Sequence, residues 1–129
     1  MSPLEVTPIY AASLAFLFTA LSLRVIAYRI AHQVSLGDAG NKGLLKRMRA
    51  QANCAEYAPF GLLLLLLLEL QGLDALWLHS LGLMLTLGRL AHAIGFSLSP
   101  PIFLLRRIGM VLTFTQLVAA SGLLLYQGF

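Results

Sequence analysis

The sequence predicts an all-α fold: an integral membrane four-helix bundle. Three observations predict it. The 129 residues are 59% hydrophobic and only 11% charged, with a mean hydropathy of +0.84. A water-soluble chain of this size needs far more polar surface to cover its core. The apolar residues fall in four runs, each near the roughly 20 residues that cross a bilayer. Finally, the cations collect at alternate breaks between the runs, as the positive-inside rule expects of a multi-pass protein.

The first span covers about residues 7–31, with Arg24 and Arg29 toward its far end. Gly37-Asp38-Ala39-Gly40-Asn41-Lys42-Gly43 then supplies turn formers. The second span covers about 44–70 and is broken by Gln71-Gly72. The third covers about 73–96. Ser97-Leu98-Ser99-Pro100-Pro101 ends it, because tandem proline cannot continue a helix interior. The fourth covers about 102–126, and residues 1–129 read as a single domain. Gly82 and Gly88 are expected to permit close helix packing, and Tyr10, Tyr28, Tyr126 and Trp77 to anchor at membrane interfaces.

An even number of spans puts both termini on one side. Arg24, Arg29, Lys42, Lys46, Arg47 and Arg49 surround the first loop, and Arg106 and Arg107 follow the third. Glu5 and Asp74 lie at the opposite end, with Glu69 close to it. Both basic loops are therefore expected in the cytoplasm and both termini outside it, in the periplasm if the source is bacterial, the membrane then being the cell inner membrane. The net charge of +4 marks orientation rather than nucleic-acid binding, because the basic residues flank apolar spans. The N-terminus lacks a basic n-region and its first apolar run is too long for a signal h-region, so no cleavable signal is expected. One cysteine, Cys54, excludes an intrachain disulfide and a cysteine-based metal site, and no metal site is expected.

Charged groups at or inside a span are costly and default to a functional reading. Arg49, Asn53 and Glu56 are spaced i, i+4, i+7, on one helix face. Arg89, His92 and Phe96 share another. Gln51 lies about 200° around the helix from Arg49 and must face elsewhere. Arg106 and Arg107 open the fourth span, with Gly109, Met110 and Thr113 continuing the Arg106 face. The set holds an excess of cations and one nearby carboxylate, Glu56. Guanidinium forks suit carboxylates and Glu56 suits an ammonium, so a peptide with two carboxylates and one ammonium, such as glutathione, fits. The bland alternatives stay open at this level. Arg49 and Glu56 are equally spaced for a structural ion pair, Asn53 for interhelical hydrogen bonding, and His92 for a satisfied polar position. The other basic residues serve as topology determinants and lipid-headgroup partners, and Cys54 as a packing residue.

The stretch from Arg49 to Pro59, Arg-Ala-Gln-Ala-Asn-Cys-Ala-Glu-Tyr-Ala-Pro, resembles the second-helix signature of the MAPEG family (membrane-associated proteins in eicosanoid and glutathione metabolism), whose pattern is Arg-Ala-x-x-Asn-x-x-Glu-x-x-Pro. Arg89-Leu90-Ala91-His92 lies where the family has a polar third-helix end, and Arg106 to Gly109 where it has the start of helix four; the chain is identified as a bacterial-type member. The resemblance implies a homotrimer of four-helix subunits with glutathione as cosubstrate, bound at subunit interfaces open to the cytoplasmic side. Carried over by position, it implies that Arg49, Asn53, Glu56, Tyr57 and His92 bind glutathione and that Arg29 and Gln51 contribute from the neighbouring subunit. It also implies that Arg106, or Arg107 if the loop differs by one residue, stabilises the thiolate. Phe96 stands where well-studied members have a tyrosine. The expected activity is a glutathione-dependent transferase or peroxidase acting on lipophilic electrophiles. A non-enzymatic lipid- or glutathione-binding scaffold of the same fold is the alternative, and a small transporter titrating Glu56 or His92 the third reading.

Overall fold

The computed structural model describes residues 3–128; Met1, Ser2 and Phe129, and with them the start of the expected non-cleaved N-terminus, lie outside the described residues. Four helices follow one another: α1 (Thr7–His32), α2 (Lys42–Leu70), α3 (Ala75–Ser97) and α4 (Phe103–Gln127). Each boundary has a local cause. Asn41 accepts a hydrogen bond from the Leu44 N–H at 3.1 Å, which starts α2 two residues before the expected position. Gly72 turns the chain at φ +81°, and Asp74 caps α3 by accepting from Leu76 N–H at 2.9 Å, so α3 starts two residues later than expected. α1 ends on Gln33 in the left-handed region, where its N–H meets the carbonyls of Arg29 and Ile30.

The start of α1 is capped from a distance. Val6 at its N-cap supplies no side-chain hydrogen bond. Instead Glu69, near the end of α2, accepts from the N–H groups of Glu5, Val6 and Thr7 at 2.7, 2.7 and 2.6 Å. Three donors that a helix start leaves unpaired thus converge on one carboxylate, where the helix dipole favours negative charge. The contact ties the ends of α1 and α2 together and fixes them antiparallel.

α1 packs against α2 and α3, and α4 against α2 and α3; among the described residues α1 and α4 do not meet. One core cluster near the termini holds Val6, Tyr10, Leu65, Leu68, Leu78, Leu81 and Ala120. A second, toward the two interhelical loops that share the other end, holds Leu14, Leu21, Ala50, Cys54, Ala58, Leu85 and Ala93. Cys54 therefore packs as a small apolar residue. Tyr10 is not an interface anchor. It is buried, its hydroxyl reaches His79 Nδ1 at 2.9 Å, and its ring lies against Gly82. Trp77 and Tyr126 stay exposed.

Large apolar side chains such as Phe16, Leu76, Val118 and Leu125 face outward, as they do where lipid is the solvent. α1, α2 and α4 are long and apolar enough to cross a membrane. α3, at 23 residues, has the length but interrupts its apolar run with His79, Arg89 and His92. The bundle shelters the last two, which are buried, so the protein rather than lipid solvates them.

Candidate functional site

α3 and α4 approach closely enough that their backbones touch. A Cβ added at Gly88 would lie 3.0 Å from the Gly109 carbonyl, and one added at Gly95 would lie 2.8 Å from the carbonyl of Ile102. This contact sets the depth at which the polar side chains of α3 meet α4 and α2.

Arg89 is the centre of the polar core and is 1% exposed. Its Nε donates to Thr113 Oγ1 at 3.0 Å and its Nη2 reaches Met110 Sδ at 3.2 Å, both on α4. Its Nη1 donates to the Asn53 backbone carbonyl at 3.3 Å and to Asn53 Oδ1 on α2. The guanidinium also lies 5.3 Å from the Tyr57 ring centroid. One planar fork therefore joins three helices, with neutral acceptors at every prong; a lysine has no such geometry. Thr113 passes a hydrogen bond on to the Gly109 carbonyl at 2.8 Å. Deeper in α4, Gln116 is fully buried and donates to the Gly61 carbonyl at 3.1 Å, while its Oε1 has no hydrogen-bond partner among the described residues.

The residues expected at the site divide into separate groups. Arg49 and Glu56 pair at 3.8 Å on an open face of α2, their side chains 51% and 53% exposed. Asn53 does not share that outward direction. It turns inward to Arg89, because i+4 and i+7 diverge by about 60° around a helix. Tyr57 is half-buried, edge-on to Phe114 at 5.5 Å between centroids. His92 is buried, 5.5 Å from the Phe96 ring. Arg106 lies over that same ring, its Cζ 4.0 Å from the centroid, and also faces Phe103. His92, Arg106, Arg107 and Met110 line a shallow cavity of about 250 Å³. Arg106 is half-buried and Arg107 exposed.

Two residues point away from all of these. Gln51 faces α1 of its own chain, with Nε2 3.5 Å from Ser22 Oγ. Arg29 holds the α1–α2 loop through the carbonyls of Val34 and Gly37 at 3.4 and 2.8 Å and touches Met48 Sδ. Among the described residues of one chain, then, the cationic α3–α4 cavity, the α2 ion pair and the α1-side residues line no common cavity. Among the described residues no cluster of His, Cys, Asp and Glu has the makings of a metal site.

Sequence reasoning placed Arg89 on the right face but gave it no task, and it missed Gln116. The available signal was a cation and an amide inside otherwise apolar spans.

A family model described as the MAPEG family matches residues 7–126. The chain is 34% identical over 113 residues to "Inner membrane protein YecN" of Escherichia coli strain K12, a match spanning 88% of this chain and 85% of that protein. The same figures hold for the protein of that name from Escherichia coli O6:H1.

Proposed function

The chain belongs to the MAPEG family, and from that premise we propose that it is a glutathione-dependent membrane transferase or peroxidase for lipophilic electrophiles, working as a homotrimer. The observation that carries the proposal is the Arg49–Glu56 pair. It stands on an open face at 3.8 Å, so a ligand can part it at little cost, since exposed ion pairs contribute about 0–1 kcal/mol. Arg49 then takes a carboxylate and Glu56 the ammonium of the peptide. Arg29 contacts the α1–α2 loop and Gln51 contacts α1 of their own chain, away from the Arg49–Glu56 face, which supports the reading that they serve a neighbour's site.

Glutathione supplies the thiol nucleophile when bound. The chain's own task is to hold the peptide and favour the thiolate. Arg106, steadied by stacking on Phe96, is the cation assigned to the sulfur. Phe96, in place of the tyrosine of well-studied members, offers a ring face where they offer a hydroxyl. Its role here is to position Arg106 rather than to donate a hydrogen bond. A thiol near pKa 8.5 is only a few per cent thiolate at neutral pH, and a nearby guanidinium raises that fraction. Conjugation yields a thioether. A hydroperoxide is reduced to the alcohol, with two thiols oxidised to a disulfide. The outward apolar faces let the second substrate arrive from the bilayer. The basic loops favour a cytoplasmic opening with both termini outside the cytoplasm, and the resemblance to an inner membrane protein favours the cell inner membrane.

Calorimetry on the detergent-solubilised protein tests the binding half. Glutathione binds the wild type, and Glu56→Gln weakens it by about 1 kcal/mol, the scale of an exposed ion pair, while leaving an analogue without the amino group nearly unaffected. Equal weakening of both ligands would make Glu56 structural, and no binding to the wild type would end the reading. Turnover of a generic electrophile tests the other half. Arg106→Leu should abolish most conjugation while peptide binding persists, and Arg107→Leu should leave both intact. Binding without conjugation in the wild type would make the protein a scaffold of the same fold.

A further inference from the structure

Arg24, Lys46 and Arg47 are three of the cations that lie outside the second-helix signature. The fold brings them together. Arg24 sits on α1 eight residues before its end, about 12 Å along the axis. Lys46 and Arg47 lie in the second turn of α2, and Ser97 closes α3. With Gly43 and Ser99 they line a cleft of about 110 Å³ at the loop end of the bundle. We propose that this cleft is a binding site for a phosphate group, carried either by an anionic phospholipid headgroup or by a free phosphate anion.

Charge balance is the first argument. Each cation hydrogen-bonds only to a neutral oxygen. Arg24 Nη1 donates to Ser97 Oγ at 2.5 Å, Lys46 Nζ to the Leu98 carbonyl at 2.5 Å, and Arg47 Nη1 to the Gly43 carbonyl at 3.0 Å, with its Cζ 4.3 Å from the Tyr28 ring centroid. The chain has five acidic residues, and none serves this cleft. Glu5, Glu69 and Asp74 are at the opposite end, Asp38 accepts from Gly40 N–H, and Glu56 pairs with Arg49. Among the described residues, three like charges thus share a cleft without a counter-charge, an arrangement that an anion relieves.

Shape and placement supply the rest. A basic residue that serves only to orient the chain points into water, as the exposed Lys42 and Arg107 do; Arg24, Lys46 and Arg47 are all half-buried and folded inward. A volume of 110 Å³ equals three to four waters at about 30 Å³ each, room for a tetrahedral oxyanion but not a peptide. The two guanidinium groups retain unused donors suited to phosphate oxygens. The Ser97 and Ser99 hydroxyls add further donors, and the N-terminus of α2 adds its dipole. A site within about two turns of the helix ends lies near the headgroup level of a bilayer. The inference stands on this cleft; it shares one wall, Phe96, with the glutathione reading but none of the three cations.

Thermal unfolding and native mass spectrometry in an uncharged maltoside detergent test it. Phosphatidylglycerol, and separately inorganic phosphate against chloride at equal ionic strength, are titrated into the wild type, the double variant Arg24→Gln/Arg47→Gln, the milder Lys46→Gln and the control Lys42→Gln. A saturable rise in Tm and a retained adduct are expected with the wild type and with Lys42→Gln. The apparent affinity should fall roughly tenfold or more in the double variant and measurably in Lys46→Gln, as loss of charge-assisted hydrogen bonds requires. A response to the lipid alone identifies a headgroup site, and a response to both identifies a site for the anion itself. No saturable response in the wild type overturns the proposal, as does an equal loss in Lys42→Gln, which would make the effect one of net charge. If the double variant does not fold, Lys46→Gln against Lys42→Gln decides.

Discussion

Replacing Arg89 with alanine is expected to destabilise the bundle by about 2–4 kcal/mol, read as a lower Tm in detergent. The sign is not obvious, because two effects oppose each other. A cation sheltered within a membrane bundle without a carboxylate is costly, and removing it relieves part of a penalty of about 2.5–3.5 kcal/mol for an arginine at membrane depth. Against that, Arg89 is among the largest fully buried side chains, and truncating a large core residue to alanine costs about 2–5 kcal/mol through the cavity left behind. The carboxamide oxygen of the half-buried Asn53 also loses its charged donor, at about 1 kcal/mol, the low end of the cost of an orphaned acceptor. Thr113 suffers less, since its hydroxyl still donates to Gly109. The losses outweigh the relief. Arg89→Met separates the terms: it keeps most of the volume, so relief and lost hydrogen bonds nearly cancel, leaving about 1 kcal/mol or less. Both variants free the Asn53 side chain and should weaken glutathione binding alike. An unchanged Tm in Arg89→Ala would mean that the fork does not hold the three helices together.

The contrast between Asn53 and Arg49 shows where sequence reading stops. The four helices were legible because apolar runs of spanning length are separated by glycine, proline and asparagine, and the boundaries differ by no more than two residues. That Arg49, Asn53 and Glu56 lie near one face was also legible from their spacing. Which of them turns inward was not, because that depends on how far α2 is rotated against α3, and the rotation is set by contacts distant in sequence. Tyr10 is the same case. As an aromatic near a span end it reads as an interface anchor, yet Gly82 on α3 leaves a recess that its ring fills. Glu69 gives the third instance. Capping motifs are sought within a few residues of a helix start, and the cap of α1 comes from a residue more than 60 positions away. Arg89 went without a task for a related reason: its partners, Asn53, Met110 and Thr113, lie on two other helices.

Since the α3–α4 contact sets how closely the polar side chains of α3 meet α4, Gly109→Ala should be among the most disruptive single-methyl changes at the described residues. A Cβ there would lie 2.7 Å from both Cβ and the backbone N of His92, closer than side-chain repacking can relieve because backbone is on the far side. Overpacking of this kind costs about 1–3 kcal/mol and at times more. The intrinsic helix preference for alanine over glycine returns up to about 1 kcal/mol, so a net loss of about 1–2 kcal/mol in unfolding free energy is expected. The functional loss should be larger than that figure suggests. Pushing α4 away from α3 separates Arg106 from His92 and Phe96 and pulls Thr113 and Met110 from Arg89, so the cationic cavity loses its walls before the bundle melts. Gly122→Ala on the same helix is the matched control. A Cβ there meets nothing within 4 Å, and the change should be neutral or stabilising by up to about 1 kcal/mol, with ligand binding retained. If Gly109→Ala matched Gly122→Ala in Tm and in binding, α3 and α4 would have slack at their crossing, and the close approach could not be what aligns the arginines of the site.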